Sequence, residues 1–276
     1  MIIDGKAIAK DLLAEARIRA KRLGRQPTLR AFTLAPTAAT HSYLRIKDEQ
    51  AAAAGIEMRI DDLTSAAPDT EAFVAFVQGA IEDAVLVQLP LAGFNDAETA
   101  EICSAIPLGK DADVLSTAAR QAFLEGRDTA LIPPVADAML EILSRTIGLK
   151  LAGKRAVVIG NGWLVGRPCA SLLRKFDAQV VHLHDRSEAD VETLGTADIV
   201  VSGVGYPHFI KPGMLKQGVV LIDAGTSESG GALAGDADPA CAEQCLAYTP
   251  VPGGVGPIAV AKLFENVVRL AERQSK

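Results

Sequence analysis

Residues 157–168, VVIGNGWLVGRP, decide the fold of the second half of the chain. The stretch begins as an apolar run typical of a buried strand and continues as a glycine-rich turn leading into a helix. Gly160, Gly162 and Gly166 give the pattern G-x-G-x-x-x-G, a variant of the dinucleotide-binding fingerprint. Small residues let the backbone approach a pyrophosphate, and the following helix offers its free N–H groups to the anion. Glycines also occur in such turns for packing reasons, so the surrounding sequence must decide.

The surroundings of the glycine turn favour a parallel sheet. Apolar runs typical of strands recur after it, and they are separated by segments with helical spacing. Strands that alternate with helices are typical of parallel sheets with helices on their faces. The predicted strands of this half are RAVVIG (155–160), QVVHLH (179–184), DIVVSGVG (198–205) and GVVLIDAG (218–225). We therefore predict a Rossmann-like, doubly wound dinucleotide-binding domain at residues 128–255.

The first half of the chain also alternates between helix and strand. Its predicted helices lie at 7–23, 42–54, 69–83 and 95–106, and its predicted strands at 29–35, 56–63 and 84–91. A polar loop at 107–116 interrupts the alternation, and further helices follow at 134–145 and 258–274. We predict an α/β fold of two lobes, in which residues 1–127 form the first lobe and the C-terminal helix, 256–276, returns to it.

Composition excludes several classes of protein. The chain has 276 residues, of which 49% are hydrophobic and 22% charged, as in ordinary globular proteins. A net charge of −6 argues against a nucleic-acid binder, which needs a basic face. No apolar run approaches the roughly 18–20 residues that span a bilayer. Asp4 and Lys6 lie where a signal peptide would need its apolar core, so we expect a cytoplasmic protein without a membrane segment.

The cysteines and histidines do not predict a metal site. Cys103, Cys169, Cys241 and Cys245 lie in segments interpreted as helix or helix flank. Cys241 and Cys245 are four apart, but no second Cys or His pair lies near enough in sequence to suggest zinc. The four histidines form no i, i+4 pair with an acidic neighbour of the metalloprotease kind. We expect no metal.

Four polar residues of the first half are candidates for chemistry. Tyr43 and Lys47 are four apart and share one helix face, which most often means surface packing. Gln88 interrupts an apolar strand, where its amide must find a partner. Asp113 lies in the loop KDADVLS, where a solvated or capping carboxylate is the simple interpretation. None of the four is diagnostic by itself.

Taken in order, the motifs around these residues resemble one family. YLRIK, GI, VLVQLPL, KDAD and TPVPGGVGPIAVAKL closely resemble the methylenetetrahydrofolate dehydrogenase/methenyltetrahydrofolate cyclohydrolase family over nearly the whole chain. The resemblance implies oxidation of 5,10-methylenetetrahydrofolate with NAD(P), hydrolysis of the methenyl product to 10-formyltetrahydrofolate, and a homodimer. A dehydrogenase without efficient hydrolysis and a non-catalytic folate- or dinucleotide-binding paralogue are the alternatives.

The resemblance also implies residue roles. In the first, catalytic lobe, Tyr43 stacks on the folate rings, Lys47 is the acid/base group, Gln88 positions it, and Asp113 grips the pterin edge. The implied loop over the folate contains Pro252, Gly253 and Gly256. The residues implied to hold the nicotinamide cofactor are Gly160, Asn161, Gly162, Val165, Gly166, Asp185, Arg186, Gly203 and Gly205.

Two departures from the family concern the cofactor. The family commonly has G-R-S at the glycine turn and H-S-R after the second strand, where this chain has 160–162 GNG and 184–186 HDR. Asp185 accepts hydrogen bonds from ribose hydroxyls and repels a 2′-phosphate, whereas Arg186 is able to hold that phosphate. Because both departures remove typical NADP contacts, we predict NAD rather than NADP.

Other departures concern the substrate. The family's PCTP, DVDG and GPMT appear here as 131–134 LIPP, 111–114 DADV and 256–259 GPIA. Loss of a glycine at Val114 and of a threonine at Ala259 changes segments that the resemblance assigns to the pocket. Lys47 and Gln88 remain, so we expect hydrolysis to be retained, with the dehydrogenase-only alternative left open.

Overall fold

The computed structural model describes residues 1–229 and 232–275. Its helices are α1 Gly5–Arg22, α2 Ala38–Ala54, α3 Thr70–Gln78, α4 Asp96–Ser104, α5 Thr117–Glu125, α6 Pro134–Thr146, α7 Gly166–Lys175, α8 Val191–Leu194 and α9 Val255–Gln274. Its strands are β1 Thr28–Thr33, β2 Glu57–Asp62, β3 Ala84–Val87, β4 Arg155–Ile159, β5 Gln179–Leu183, β6 Ile199–Ser202, β7 Val219–Asp223, β8 Ser227–Ser229, β9 Ala232–Ala234 and β10 Cys245–Tyr248.

The chain divides into two compact units. The first, here called the N-terminal unit, comprises Lys10–Pro134 and Val260–Lys276. The second, the glycine-turn unit, comprises Met1–Ala9 and Val135–Ala259. The domain limits 1–127 and 128–255 stay a prediction, but the two-lobed α/β fold and the return of the C-terminal helix to the first lobe are confirmed.

The N-terminal unit is built on a parallel three-stranded sheet in the order β2-β1-β3. Every residue of β3 is buried, and Phe32 of β1 packs against Phe73 of α3 with ring centroids 6.3 Å apart. Two ends of the unit's sequence meet where Arg19 of α1 donates to the Glu272 carboxylate of α9 at 2.7 and 3.0 Å. This pairing ties the C-terminal helix to the first helix.

Local capping chemistry explains where the helices of this unit begin and end. The Thr37 side chain accepts from Thr40 N at the start of α2. Gly55 follows the helix in the left-handed conformation, so that α2 ends at the predicted residue 54. Asn95 caps α4 in a reciprocal arrangement with Glu98, at the predicted start of the helix 95–106. These caps need only neighbouring residues, yet α2 begins at Ala38, four residues before the predicted start at 42.

The glycine-turn unit contains a parallel five-stranded sheet in the order β10-β7-β6-β4-β5. In chain order this is the doubly wound pattern 2-1-3-4-5, which confirms the predicted fold class. The strand order reverses between β4 and β6, and ligands of such sheets bind beyond the carboxyl ends of the strands at this point. The glycine turn follows β4 directly and therefore lies at the switch point.

Several segments differ from the prediction, among them α8, β8 and β9, which were not predicted. The helix predicted at 69–83 ends at Gln78, because the chain turns at Gly79 to enter β3. α5 was not predicted, although Ser116 caps it and its buried side chains have helical spacing. β10 was not predicted either, so Cys245 lies in a strand rather than in a helix or its flank. This strand has four residues, and its pairing with β7 rather than its own pattern defines it.

In residues 1–229 and 232–275, no helix combines the length and apolar character needed to cross a bilayer. The same residues contain no cluster of three or more His, Cys, Asp or Glu side chains that could hold a metal ion. All four cysteines are buried free thiols.

Candidate active site

Lys47 and Gln88 are bonded in the N-terminal unit. Lys47 lies on α2 and donates from Nζ to Gln88 Oε1 at 2.8 Å. Gln88 follows β3, and its Nε2 donates to Leu89 O at 2.7 Å, so the amide oxygen is turned towards the lysine. The expectation that Gln88 must find a partner is therefore met on both sides of its amide.

Asp113 interacts electrostatically with the same lysine. Burial raises the pKa of the Asp113 carboxyl to about 6, while the Lys47 charge opposes the rise and Asp111 adds to it. Burial lowers the pKa of Lys47, and the Asp113 charge works against that lowering. Asp113 is thus a half-buried carboxylate coupled to Lys47, not a solvated loop residue.

Tyr43 lies one helical turn before Lys47 on α2 and is 41% exposed. Residues four apart on a helix lie on one face, so the two side chains share a face of α2. The accessible ring suits stacking against a planar ligand. The four residues Tyr43, Lys47, Gln88 and Asp113 are called the lysine cluster below.

The loop that carries Asp113 is held from within by Asp111. Its carboxylate is buried and accepts from Leu115 N at 3.0 Å and Ser116 N at 2.7 Å. Between these contacts Val114 adopts φ +57°, a left-handed conformation that costs a side-chain-bearing residue about 1–2 kcal/mol. This is the position at which the resembling family has glycine, and the contacts of Asp111 help to maintain the strained loop.

Two residues near Asp113 were missed from the sequence. Asn266 of α9 is fully buried and donates from Nδ2 to Ala112 O and Ile132 O, each at 3.0 Å. An asparagine within the apolar stretch LFENVV was the available signal, because a buried amide needs partners. Arg120 lies in the unpredicted α5, and its charge lowers the pKa of Asp113.

Some glycines in and around the glycine turn are closely packed, whereas Gly162 borders open space. Gly160 adopts φ +112°, and a Cβ at Gly166 would lie 1.7 Å from Gly160 O. A Cβ at Gly203, after β6, would lie 2.5 Å from the Val165 side chain. Packing therefore requires these glycines, whereas a Cβ at Gly162 would meet nothing within 4 Å. The open space at Gly162 and the adjoining start of α7 fit a pyrophosphate.

The turn is fastened by Arg167. Its Nε donates to Asn161 O at 2.9 Å and to Asn161 Oδ1 at 3.0 Å, and its guanidinium lies 5.1 Å from the Trp163 ring centroid. Asn161 therefore serves the turn's own conformation. His182 of β5 adds a contact from Nε2 to Gly160 O at 2.8 Å.

Asp185 and Arg186 follow β5 and make different contacts. Asp185 is exposed and accepts from Ser187 N at 2.6 Å, and its hydrogen bonds to Ser187 lower the pKa of its carboxyl. The Arg186 guanidinium lies 3.5 Å from the ring centroid of Tyr206. The carboxylate therefore stays charged at the strand end, while the arginine is stacked on a ring that sequence analysis missed.

The predicted substrate loop lies in the glycine-turn unit. The Val251–Pro252 peptide is cis, and Gly253 adopts φ +104° while its carbonyl accepts from Gly5 N at 2.9 Å. Gly256 lies in the first turn of α9, where a Cβ would meet nothing within 4 Å. The role of this loop towards a ligand stays a prediction.

Two family models match the chain. Residues 3–113 match the model described as tetrahydrofolate dehydrogenase/cyclohydrolase, catalytic domain. Residues 133–275 match tetrahydrofolate dehydrogenase/cyclohydrolase, NAD(P)-binding domain. Together they span most of the chain and include the lysine cluster and the glycine turn.

Full-length relatives agree with the models. The bifunctional protein FolD of Thermotoga petrophila is 36% identical, with 100% of both chains covered. The structure of the Trypanosoma brucei methylenetetrahydrofolate dehydrogenase-cyclohydrolase, complexed with NADP and an inhibitor, has a TM-score of 0.91 and 32% identity, covering 99% of this chain and 98% of its own. The FolD structure from Campylobacter jejuni has a TM-score of 0.89 and 26% identity, covering 99% of each chain.

Proposed function

The chain belongs to the tetrahydrofolate dehydrogenase/cyclohydrolase family, and from that premise we propose that it performs both reactions of one-carbon metabolism. It oxidises 5,10-methylenetetrahydrofolate to the methenyl form with a nicotinamide dinucleotide. It then hydrolyses the methenyl form to 10-formyltetrahydrofolate. The family membership supports the pair of reactions, and the residues of this chain support the roles that follow.

The observation on which the proposal rests is the Lys47 Nζ–Gln88 Oε1 bond beside the Asp113 carboxylate. Hydrolysis adds water to a cationic carbon and therefore needs a group that moves protons near neutral pH. Burial favours neutral Lys47, and Gln88 fixes the direction of Nζ. Tyr43 stacks on the folate rings, and Asp113 accepts hydrogen bonds from the polar edge of the pterin.

Residues of the glycine-turn unit hold the dinucleotide, which accepts a hydride from the substrate when bound. Open space at Gly162 and the start of α7 receive the pyrophosphate, and Asp185 accepts hydrogen bonds from the adenine ribose. We infer a preference for NAD over NADP, because Asp185 is ionised while Arg186 is stacked on Tyr206. Pro252, Gly253 and Gly256 form the loop that closes over the folate.

We also propose that the protein is a cytoplasmic homodimer. β2 is an edge strand of its sheet and exposes 40% of Ile60, so it offers backbone groups and an apolar side chain to a second copy. The four buried free thiols suit a reducing compartment. Light scattering is expected to give twice the chain mass of 28.9 kDa, and a monomer would contradict the dimer.

A spectrophotometric assay tests the dehydrogenase proposal. Purified protein is mixed with 5,10-methylenetetrahydrofolate and either NAD or NADP, and reduced dinucleotide and methenyl product are followed together. Reduction that depends on folate is expected with NAD. Lasting accumulation of methenyl product would identify the dehydrogenase-only alternative, which the changes at Val114 and Ala259 leave open. Binding without any turnover would identify the non-catalytic one.

The pKa of Asp113 predicts how substrate use depends on pH. Protonation of this carboxyl, with a pKa of about 6, removes the acceptor for the pterin edge, so kcat/KM for the folate falls as pH falls. The expected decrease is about tenfold per pH unit below 6. Asp113→Asn is expected to have a low and nearly flat profile in this range. An unchanged decrease in the variant would remove Asp113 from substrate binding.

A further inference from the structure

A buried carboxylate lies beneath the loop that follows β6. Asp236 is fully buried, and its Oδ2 accepts from Ser202 Oγ at 2.6 Å and from Val204 N at 2.9 Å. Its Oδ1 accepts from Tyr206 N at 2.8 Å. One side chain thus holds the last residue of β6 and two alternate amides of the next four residues, although it lies at least 30 positions away in sequence.

The position of Asp236 is itself fixed. Its backbone N–H donates to Asp223 Oδ1 at 3.1 Å, and the next amide, Ala237 N, donates to Asp223 Oδ2 at 2.8 Å. A Cβ at Gly225 would lie 2.2 Å from the Asp236 carboxylate, and one at Gly235 would lie 2.2 Å from Asp223 Oδ2. Backbone donors and two glycines therefore reserve the space for these two carboxylates.

The loop held by Asp236 lies at the switch point of the sheet. It starts at Gly203, whose N–H donates to Ile159 O at 3.1 Å beside the glycine turn. The amides on either side of Gly205, those of Val204 and Tyr206, donate to Asp236. Gly205 itself is exposed, and in the described part of the chain its N–H makes no hydrogen bond. Tyr206 then supplies the ring on which Arg186 stacks.

We propose that Asp236 is a positioning residue for the dinucleotide. By holding the amides of Val204 and Tyr206 on one side, it presents the Gly205 N–H and the Tyr206 ring on the other. Because Arg186 stacks on the Tyr206 ring, the loops after β5 and β6 then keep fixed positions relative to each other. This inference rests on the proposed function only in that a nicotinamide dinucleotide binds at this edge of the sheet.

The proposal requires a carboxylate rather than any polar side chain. Three donors converge on its two oxygens, and a carboxylate is able to accept hydrogen bonds at both of them. Asp236→Asn keeps the shape but turns an NH₂ group towards at least one of these donors. One side of the loop then loses its acceptor and the buried donor is left unpaired.

The test compares Asp236→Asn with the wild type. Two quantities are measured: the Kd for NAD by calorimetry, and the hydrogen-exchange rates of the Val204 and Tyr206 amides without ligand. We expect the Kd to rise about tenfold, as for loss of one charge-assisted hydrogen bond, and both amides to exchange faster. Hydrolysis of methenyltetrahydrofolate without dinucleotide is expected to stay unchanged.

Asp238→Asn is the matched control. Asp238 lies two residues further on, accepts from Ala240 N at 3.0 Å and pairs with Lys211 at 3.0 Å on the surface. Its replacement is expected to leave the Kd and the two exchange rates unchanged. Ser202→Ala provides a milder variant if Asp236→Asn does not fold, since it removes one donor and keeps the carboxylate; a smaller rise in Kd and faster exchange at Val204 are expected.

Exchange and affinity separate the possible failures. Wild-type exchange rates in a folded Asp236→Asn variant, or in Ser202→Ala, would show that the carboxylate does not hold the loop and would overturn the proposal. Faster exchange of the two amides with an unchanged Kd for NAD would show that the loop held by Asp236 does not position the dinucleotide, and would overturn the proposal. If the wild type bound neither NAD nor NADP, the proposal of a nicotinamide cofactor would be wrong, and this inference with it. The exchange rates would still show whether Asp236 holds the loop after β6.

Discussion

Lys47→Met is expected to slow enzymatic hydrolysis of methenyltetrahydrofolate by about 100-fold or more, the range for removal of a positioned acid/base group. Methionine keeps an unbranched apolar chain but has no group that carries a proton at neutral pH. Gln88 loses its lysine donor while its Nε2 bond to Leu89 O remains. The variant should fold, because burial disfavours the charged lysine that it replaces.

Arg45→Met is the control for this prediction. Arg45 lies on the same helix and forms an exposed ion pair with Glu49 at 2.5 Å, so its loss should have little effect on hydrolysis. NAD binding measured by calorimetry should be unchanged in both variants. Wild-type hydrolysis by a folded Lys47→Met variant would remove Lys47 from the mechanism.

Asp185→Ser is expected to shift the ratio of kcat/KM for NADP over NAD upwards by about 10- to 100-fold. The carboxylate is exposed, and its hydrogen bonds to Ser187 keep it ionised. A carboxylate at this place repels a 2′-phosphate, and like charges a few ångströms apart near a protein surface lower affinity by about tenfold or more. Serine removes the charge while retaining a hydroxyl for the ribose.

Asp190→Ser is the matched control for the cofactor prediction. Asp190 is also exposed and caps the short helix α8 by accepting from Thr193 N at 2.7 Å. Its replacement should leave the ratio unchanged, because serine retains the cap. A wild type that already prefers NADP would contradict the assignment of Asp185, and Arg186→Ala would then be expected to lower the use of NADP.

The parts of the fold that depend on neighbouring residues were predictable. Gly55 and Asn95 lie at predicted ends of the helices 42–54 and 95–106, and both act through contacts within a few residues. Thr37 caps α2 in the same local way, but the predicted helix began at 42 and missed it. β10 was not predictable in this way, because a four-residue strand gains its identity from pairing with β7. α5 was missed although its cap and spacing were present in the sequence.

The candidate site divides in a similar way. Tyr43 and Lys47 are related by helical spacing, but the contact between Lys47 and Gln88 spans 41 positions and depends on how α2 and the sheet pack. The family resemblance supplied that relation, and the family itself is confirmed. Asn266 and Asp236 were missed because their partners, Ala112 O and the loop after β6, lie far away in sequence.

Departures from the family pattern also acquire a physical meaning. Val114 adopts the left-handed conformation that its family counterpart, glycine, reaches without cost. The loop therefore keeps its path although its sequence has changed, and Asp111 and Asn266 hold it on two sides. The altered residue alone suggested a reshaped pocket, whereas the backbone indicates that the path past Asp113 is retained.

The central claim is that the lysine cluster performs proton transfer on a bound folate. The most direct measurement is hydrolysis of 5,10-methenyltetrahydrofolate by the wild-type protein without dinucleotide, followed as loss of methenyl absorbance. The account predicts hydrolysis well above the spontaneous rate in the same buffer, with the acceleration lost in Lys47→Met. A wild-type rate equal to the spontaneous rate, in a preparation that still binds NAD, would contradict it.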